Sequence, residues 1–234
     1  MPATIAGRLR EVRARIGVAA RGAGRSAESI RLIAVSKTFP ISAVREAFDA
    51  GQREFGENRV QEGLQKIAET TEFSIRWHLL GHLQTNKARK AAPAFAMIHS
   101  IDSLELLERV DQASDGAGRT PELLIQVDLA GEATKFGVPP GEVPRLFEAA
   151  AACRAARVVG LMTLPPVSET PEGARPWFQQ LRALRDGWLD AGVPASMLRE
   201  LSMGMSGDFE TAIQEGATIV RVGSAIFGSR HVQR

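Results

Sequence analysis

The residue best placed for chemistry is Lys37, at the end of the stretch Arg31-Leu32-Ile33-Ala34-Val35-Ser36-Lys37-Thr38-Phe39-Pro40. A lysine amine that has lost its proton attacks carbonyls and holds them as Schiff bases. A neighbouring cation, or desolvation, lowers its pKa toward that state. Two later stretches offer it partners. Leu201-Ser202-Met203-Gly204-Met205-Ser206-Gly207-Asp208 reads as strand, tight turn and helix start, with Ser206 as the expected N-cap. Gly204 and Gly207 let the backbone approach a ligand, and a helix N-terminus binds anions. Arg221-Val222-Gly223-Ser224 adds a cation, a glycine and a hydroxyl. An amine beside an anion site suggests a phosphorylated aldehyde or ketone held covalently. The plainer alternatives are a solvated lysine at a strand end and two ordinary glycine turns. Asp208 counts against the anion site unless its carboxylate points away.

These residues need elements to position them. Residues 32–35 form a continuous apolar run, as in a strand buried on both faces, and Pro40 marks the turn that follows. Further runs stand at 53–56, 75–80, 95–101, 123–129, 158–164, 198–203 and 218–227, the second being short and weak. Between them helices are expected from Ile41, Arg59, Thr85, Ser103, Gly141, Pro171 and Ser206. Val60, Leu64, Ile67 and Ala68 share one helix face, as do Phe209, Ala212, Ile213 and Gly216. Asp102 followed by Glu105 resembles a helix start, and Gly51, Gly192 and Gly216 stand where helices should stop. Before all of this, residues 3–21 form an amphipathic helix carrying Ile5, Leu9, Val12 and Ile16, expected to pack on the domain. Eight strand–helix units in 234 residues predict a single (β/α)8 TIM barrel over 1–234, with residues 1–25 as an added N-terminal helix. A doubly wound open sheet is the alternative. In a barrel the C-terminal strand ends share one rim, which would gather Lys37, Asn58, His78, Asp128, Met162, Thr163, residues 202–206, Arg221, Gly223 and Ser224.

Composition narrows the function. A net charge of +2 is too small to argue for nucleic acid. No apolar run approaches the length of a membrane span, and no signal-peptide pattern is present, so a cytoplasmic protein is expected. Cys153 is the one cysteine, which excludes an internal disulfide and is read as a small core residue on a helix. The histidines His78, His82, His99 and His231 lack metal-ligand spacing, so no metal is assigned. Lys87, Arg89 and Lys90 make a small basic patch, read as a solvated helix face. The loop at 165–176 is the longest irregular stretch. Tyrosine is absent.

The chain resembles the pyridoxal phosphate (PLP) homeostasis proteins, a family of small fold-type III PLP-binding proteins. The resemblance rests on Leu32-Ile33-Ala34-Val35-Ser36-Lys37-Thr38, Phe55-Gly56-Glu57-Asn58-Arg59-Val60-Gln61-Glu62 and Trp77-His78-Leu79-Leu80-Gly81-His82-Leu83-Gln84-Thr85-Asn86-Lys87. It continues through Gly160-Leu161-Met162, residues 201–206 and Arg221-Val222-Gly223-Ser224-Ala225-Ile226-Phe227-Gly228. It implies a barrel like the alanine racemase N-terminal domain, without that enzyme's second domain. It implies that Lys37 forms the internal aldimine with PLP, that Ser206, Gly223 and Ser224 hold the phosphate, and that Arg221 faces the pyridine nitrogen. Asn58, His78 and Met203 would line the cofactor pocket. Arg59 and His82 depart from the family's usual tyrosine and proline. The implied function is PLP homeostasis, by buffering or by delivery to PLP-dependent apoenzymes, in a monomer without strong catalysis. Two enzymatic alternatives stand against it. A racemase needs a second base, which in alanine racemase is a tyrosine. A Schiff-base aldolase would use the lysine and the anion site alone.

Overall fold

Each apolar run of the chain is too short to fold alone, and a strand buried on both faces needs cover on each. Closing eight such strands inside a ring of helices satisfies all of them. The structure, a computed structural model, describes residues 4–131 and 136–228. Residues 1–3 of the expected N-terminal segment, and His231, lie outside the described residues. The strands are β1 (Arg31–Val35), β2 (Glu54–Glu57), β3 (Arg76–Leu79), β4 (Met97–Ile101), β5 (Glu122–Gln126), β6 (Arg157–Met162), β7 (Glu200–Ser202) and β8 (Ile219–Val222). They pair in parallel in sequence order and close as a barrel, with Ile33 beside Arg221 across the β1–β8 seam. Closure excludes the doubly wound open sheet.

The helices are α1 (Ile5–Gly22), α2 (Ile41–Asp49), α3 (Val60–Ala68), α4 (Ala88–Ala91), α5 (Leu104–Gly116), α6 (Val143–Ala151), α7 (Arg175–Asp190), α8 (Phe209–Gln214) and α9 (Ser224–Phe227). Helix α1 is the added N-terminal helix. It buries Ile5, Leu9, Val12 and Ile16, and Arg8 Nε donates to the carbonyl of Ile226 at 2.5 Å. Gly51, Gly192 and Gly216 follow helix ends with φ of 88°, 92° and 99°, values that need glycine.

Strand alternation sorts the core into two compartments. Ile33, Val35, Leu80, Met97, Leu124, Val159, Met162 and Ile219 form the barrel interior, and a larger cluster fills the space between strands and helices. Gly56 is required inside, because a Cβ there would lie 2.5 Å from Leu80 and 2.9 Å from Ile33. The strand starts carry an ionic ring. Arg76 bridges Glu54 at 3.3 Å and Glu122 at 3.1 Å, and Arg31 reaches Glu200 at 3.5 Å. The opposite end, where the strands finish, is left for chemistry.

Several expected boundaries move. The eighth run splits into β8 and α9, because the chain turns at Gly223. The fifth run stops at Gln126, where Asp128 Oδ1 captures the amides of Ala130 and Gly131 in a turn. Helix α5 is capped by Ser103, whose hydroxyl accepts from Leu106 N at 3.2 Å, rather than by Asp102. Ser206 does not cap α8. Met205 N–H donates to Asp208 Oδ1 at 2.6 Å, this turn delays the helix to Phe209, and Ser206 is left free to bond elsewhere. The buried face of α3 is Val60, Gly63 and Lys66, with Ala68 exposed. Cys153 lies just beyond α6, half-buried, with burial pushing its thiol up to about 11. Residues 171–174 of the long loop form a 3-10 turn leading into α7.

Candidate functional site

At the C-terminal mouth lies a cavity of about 470 Å³, lined by Val35, Lys37, Phe39, Asn58, Leu80, Leu164, Met205, Ser206, Gly207, Arg221, Gly223, Ser224 and Gly228. Six of the eight expected site residues are among them: Lys37, Asn58, Ser206, Arg221, Gly223 and Ser224. Lys37 extends the inward parity of Ile33 and Val35 on β1. Asn58 does so after Glu54 and Gly56 on β2, and Gly223 after Ile219 and Arg221 on β8. The period of two therefore delivers the amine, the amide and the anion-facing backbone to one opening.

The phosphate-like end is stitched together across two loops. The Gly223 and Ala225 N–H groups donate to Ser206 Oγ at 3.1 Å and 3.4 Å. Ser206 thus joins the loop after β7 to the start of α9 instead of capping its own helix. A Cβ on Gly223 would stand 3.3 Å from the carbonyl of Val35, so a side chain there would crowd β1. Among the described residues, no carboxylate lines the cavity. Asp208 points away: Oδ1 is taken by Met205 N–H, and its side chain faces a neighbouring hollow beside residues 165–171. Burial raises its pKa, against the Met205 hydrogen bond and the Arg221 charge. A lysine amine, the Arg221 guanidinium and two hydroxyls, around a cavity with no carboxylate among the described residues, fit a phosphorylated aldehyde of the size of PLP.

Arg221 is fully buried, and burial lowers its pKa to about 10, with Asp208 pulling the other way; it remains a cation at neutral pH. Nη2 donates to the carbonyl of Thr163 at 2.9 Å and Nη1 to Ser202 Oγ at 2.6 Å. From Ser202 a polar chain runs down the barrel interior. His99 Nδ1 is 2.9 Å from Ser202 Oγ, His99 Nε2 is 3.0 Å from His78 Nδ1, and His78 Nε2 is 2.5 Å from Glu54 Oε2. Burial keeps both imidazoles neutral: His78 lies below its ordinary range and His99 well below it, the latter also repelled by His78 and Arg221. Neutrality allows one consistent set of donors. Arg221 donates to Ser202, Ser202 to His99 Nδ1, His99 Nε2–H to His78 Nδ1, and His78 Nε2–H to Glu54. A buried cation at the mouth is thereby linked to a carboxylate at the barrel floor.

The remaining two expected residues do not line the cavity. His78 sits in that interior chain, two residues before the lining residue Leu80. Met203 is wholly buried in the cluster between barrel and helices. Asp128, Met162 and Thr163 lie below or beside the opening. Thr163 supplies its carbonyl to Arg221, and Asp128 borders an adjoining hollow with Asn58, Leu80, His82 and Phe136. His82 stacks on Phe136 at 3.6 Å between centroids, and its Nδ1 lies 2.9 Å from Asp102 Oδ2. Arg59 is exposed at the start of α3. Sequence reasoning missed His99 and Ser202 as one unit, although both carry inward parity. Among the described residues, no group of three or more His, Cys, Asp or Glu side chains is placed to hold a metal ion.

Residues 8–231 match the family model of the alanine racemase N-terminal domain. The pyridoxal phosphate homeostasis protein of Aquifex aeolicus (strain VF5) is 42% identical over 223 residues, covering 95% of this chain and 97% of the relative. That of Escherichia coli (strain K12) is 41% identical over 230 residues, covering 97% of each chain. Among solved structures, PipY of Synechococcus elongatus PCC7942 with PLP bound superposes with a TM-score of 0.82 at 43% identity, covering 96% of this chain and all of PipY. The fold is thus that of the alanine racemase N-terminal barrel; an alanine racemase from Clostridium difficile 630 shares it at 15% identity, with a TM-score of 0.72 over 97% of this chain and 58% of the enzyme. Within that class, the chain belongs to the family of pyridoxal phosphate homeostasis proteins.

Proposed function

We propose that this protein binds pyridoxal 5′-phosphate as a Schiff base on Lys37 and acts in its homeostasis, buffering it or delivering it to PLP-dependent apoenzymes without strong catalysis of its own. The observation that carries the reading is the cavity itself: Lys37 and Arg221 share it with Ser206, Gly223 and Ser224, and no carboxylate among the described residues lines it. When bound, the cofactor supplies a reactive aldehyde. Ser206, Ser224 and the Gly223 backbone hold the phosphate, and Lys37 holds the aldehyde carbon. Arg221 faces the ring nitrogen and, as a cation, disfavours its protonation, which weakens the ring as an electron sink. Asn58 lines the ring, with His78 and Met203 supporting from behind.

The weak-catalysis reading is supported by the chain's own chemistry. It has no tyrosine to serve as a second base opposite Lys37, and Arg221 does not favour carbanion stabilisation. Delivery is supported by the exposed apolar rim at the mouth, where Phe136, Leu164, Val167 and Met205 border the cavity and its adjoining hollows. The reading takes the barrel and α1 as one working unit, monomeric and cytoplasmic. No described helix is long and apolar enough to cross a membrane. The test is spectroscopic. Protein mixed with PLP should develop an imine absorption band, and Lys37→Ala should abolish it; an unchanged band in the variant would overturn the assignment.

A further inference from the structure

Lys37 does not sit at the end of a relaxed strand. Phe39 N–H donates to the Ser36 carbonyl at 3.0 Å, closing a turn whose two central residues are Lys37 and Thr38. Thr38 has φ of 68°, and it is the only described residue other than glycine with positive φ. For a β-branched residue this conformation is a genuine outlier, costing about 1–3 kcal/mol and persisting only where its surroundings impose it. The surroundings here are a buried ion cluster. Thr38 N–H donates to Glu62 Oε1 at 2.6 Å. Glu62 Oε1 accepts from Lys66 Nζ at 3.0 Å. The same ammonium donates to the Ser36 carbonyl at 2.8 Å and to Glu57 Oε1 at 2.7 Å. Glu57 Oε1 also accepts from Ser36 Oγ at 2.6 Å.

The three N–H donors of Lys66 are therefore all used, on a side chain only 8% exposed. One donor grips the residue before Lys37. Another, through Glu62, grips the residue after it. The third anchors the clamp to Glu57, a wholly buried carboxylate on the neighbouring strand. A buried ion pair gives little net stability relative to well-packed apolar residues, so its presence calls for another role. Here the two gripped residues flank Lys37.

We propose that Lys66, acting through Glu62 and Glu57, is a positioning residue that holds the Lys37 turn in its strained conformation and thereby aims the Lys37 amine at the cofactor's aldehyde carbon. The inference rests on the reading of Lys37 as the PLP-binding lysine. It separates two parts of binding. The phosphate is held by the loops after β7 and β8, which Lys66 does not touch, whereas capture of the aldehyde depends on where Lys37 points.

The test uses two ligands: PLP, and 4′-deoxypyridoxine 5′-phosphate, which keeps ring and phosphate but has no aldehyde. Titration of Lys66→Met should show PLP affinity falling about tenfold, a weaker imine band at saturation, and affinity for the deoxy analogue unchanged. Retained analogue binding also shows that the variant is folded. Where Lys66→Met does not fold, Glu62→Ala, on a partly exposed side chain, removes the Thr38 grip while leaving Lys66 on Glu57, and should show the same selective loss. Equal affinity for both ligands before and after substitution would overturn the proposal. So would a parallel loss for both, which would mean that Lys66 supports the pocket generally. Failure of the underlying reading looks different: the wild-type protein would then form no imine and would not distinguish PLP from its deoxy analogue.

Discussion

Acidification should destabilise this protein through His99, and the structure sets the size of the effect. His99 is wholly buried, with one ring nitrogen on His78 and the other on Ser202. Burial first, then the neighbouring His78 and the Arg221 charge, hold its pKa well below the usual value. In the unfolded chain it titrates near 6.5. Below about pH 6.5 the unfolded state therefore binds more protons than the folded state, so stability is present above that pH and is lost as pH falls through it. For one histidine that stays neutral when folded, acidification from pH 7 to pH 5.5 costs on the order of 1 kcal/mol. Glu57, Asp102 and Asp208, whose pKa values burial raises, act with the opposite sign and gain stability as pH falls. The His99 contribution is therefore read as a difference. Urea unfolding of wild type and His99→Gln would be compared at pH 7 and pH 5.5; glutamine keeps a donor and an acceptor but does not titrate. The variant should be less stable at pH 7, yet should lose on the order of 1 kcal/mol less on acidification. Equal losses in the two proteins would refute the neutral, buried assignment of His99.

Ser206→Asp places a carboxylate in a cavity that no described carboxylate lines. Two unit charges about 4 Å apart at an effective dielectric near 20 repel by about 4 kcal/mol, less with screening at the open mouth. PLP affinity in an absorbance titration should fall at least about tenfold; no change would remove the anion-site argument. A Cβ at Gly81 would lie 2.1 Å from the Asn58 carbonyl oxygen. Gly81→Ala should therefore displace Asn58 and lower stability by about 1–3 kcal/mol in denaturant melts, whereas unchanged stability would mean that the Asn58 loop shifts freely. Exchange of the α-proton of L-alanine in deuterated water should stay near background with the PLP-loaded protein, and robust wash-in would revive a racemase reading.

The barrel was legible because its signals are local. Each short apolar run and each amphipathic face shows itself within ten residues, and the count of eight carries the architecture. The mouth was legible because a parallel barrel brings all strand ends to one rim, which is why Lys37, Asn58, Ser206, Arg221, Gly223 and Ser224 meet. Contacts assembled from distant strands were harder to see. Glu54, His78, His99, Ser202 and Arg221 come from five strands, and nothing in their spacing announces a chain of hydrogen bonds. His78 was accordingly expected in the pocket lining and lies in the interior below it. Ser206 looked like a helix cap because residue type is a local cue, whereas the turn made by Asp208 moved the helix start beyond it. Lys66 had a signal that went unused: a lysine on the same α3 face as Val60 and Gly63, where an apolar side chain would be expected. A charged residue at a buried phase implies a buried partner, and its partners flank the lysine at the centre of the site.

The central claim is that Lys37 carries the cofactor. Its most direct test is to load the protein with PLP, reduce with borohydride, digest and locate the pyridoxyl adduct by mass spectrometry among the chain's five lysines. The account predicts one stoichiometric adduct on Lys37. An adduct confined to another lysine, or none at all, would contradict it.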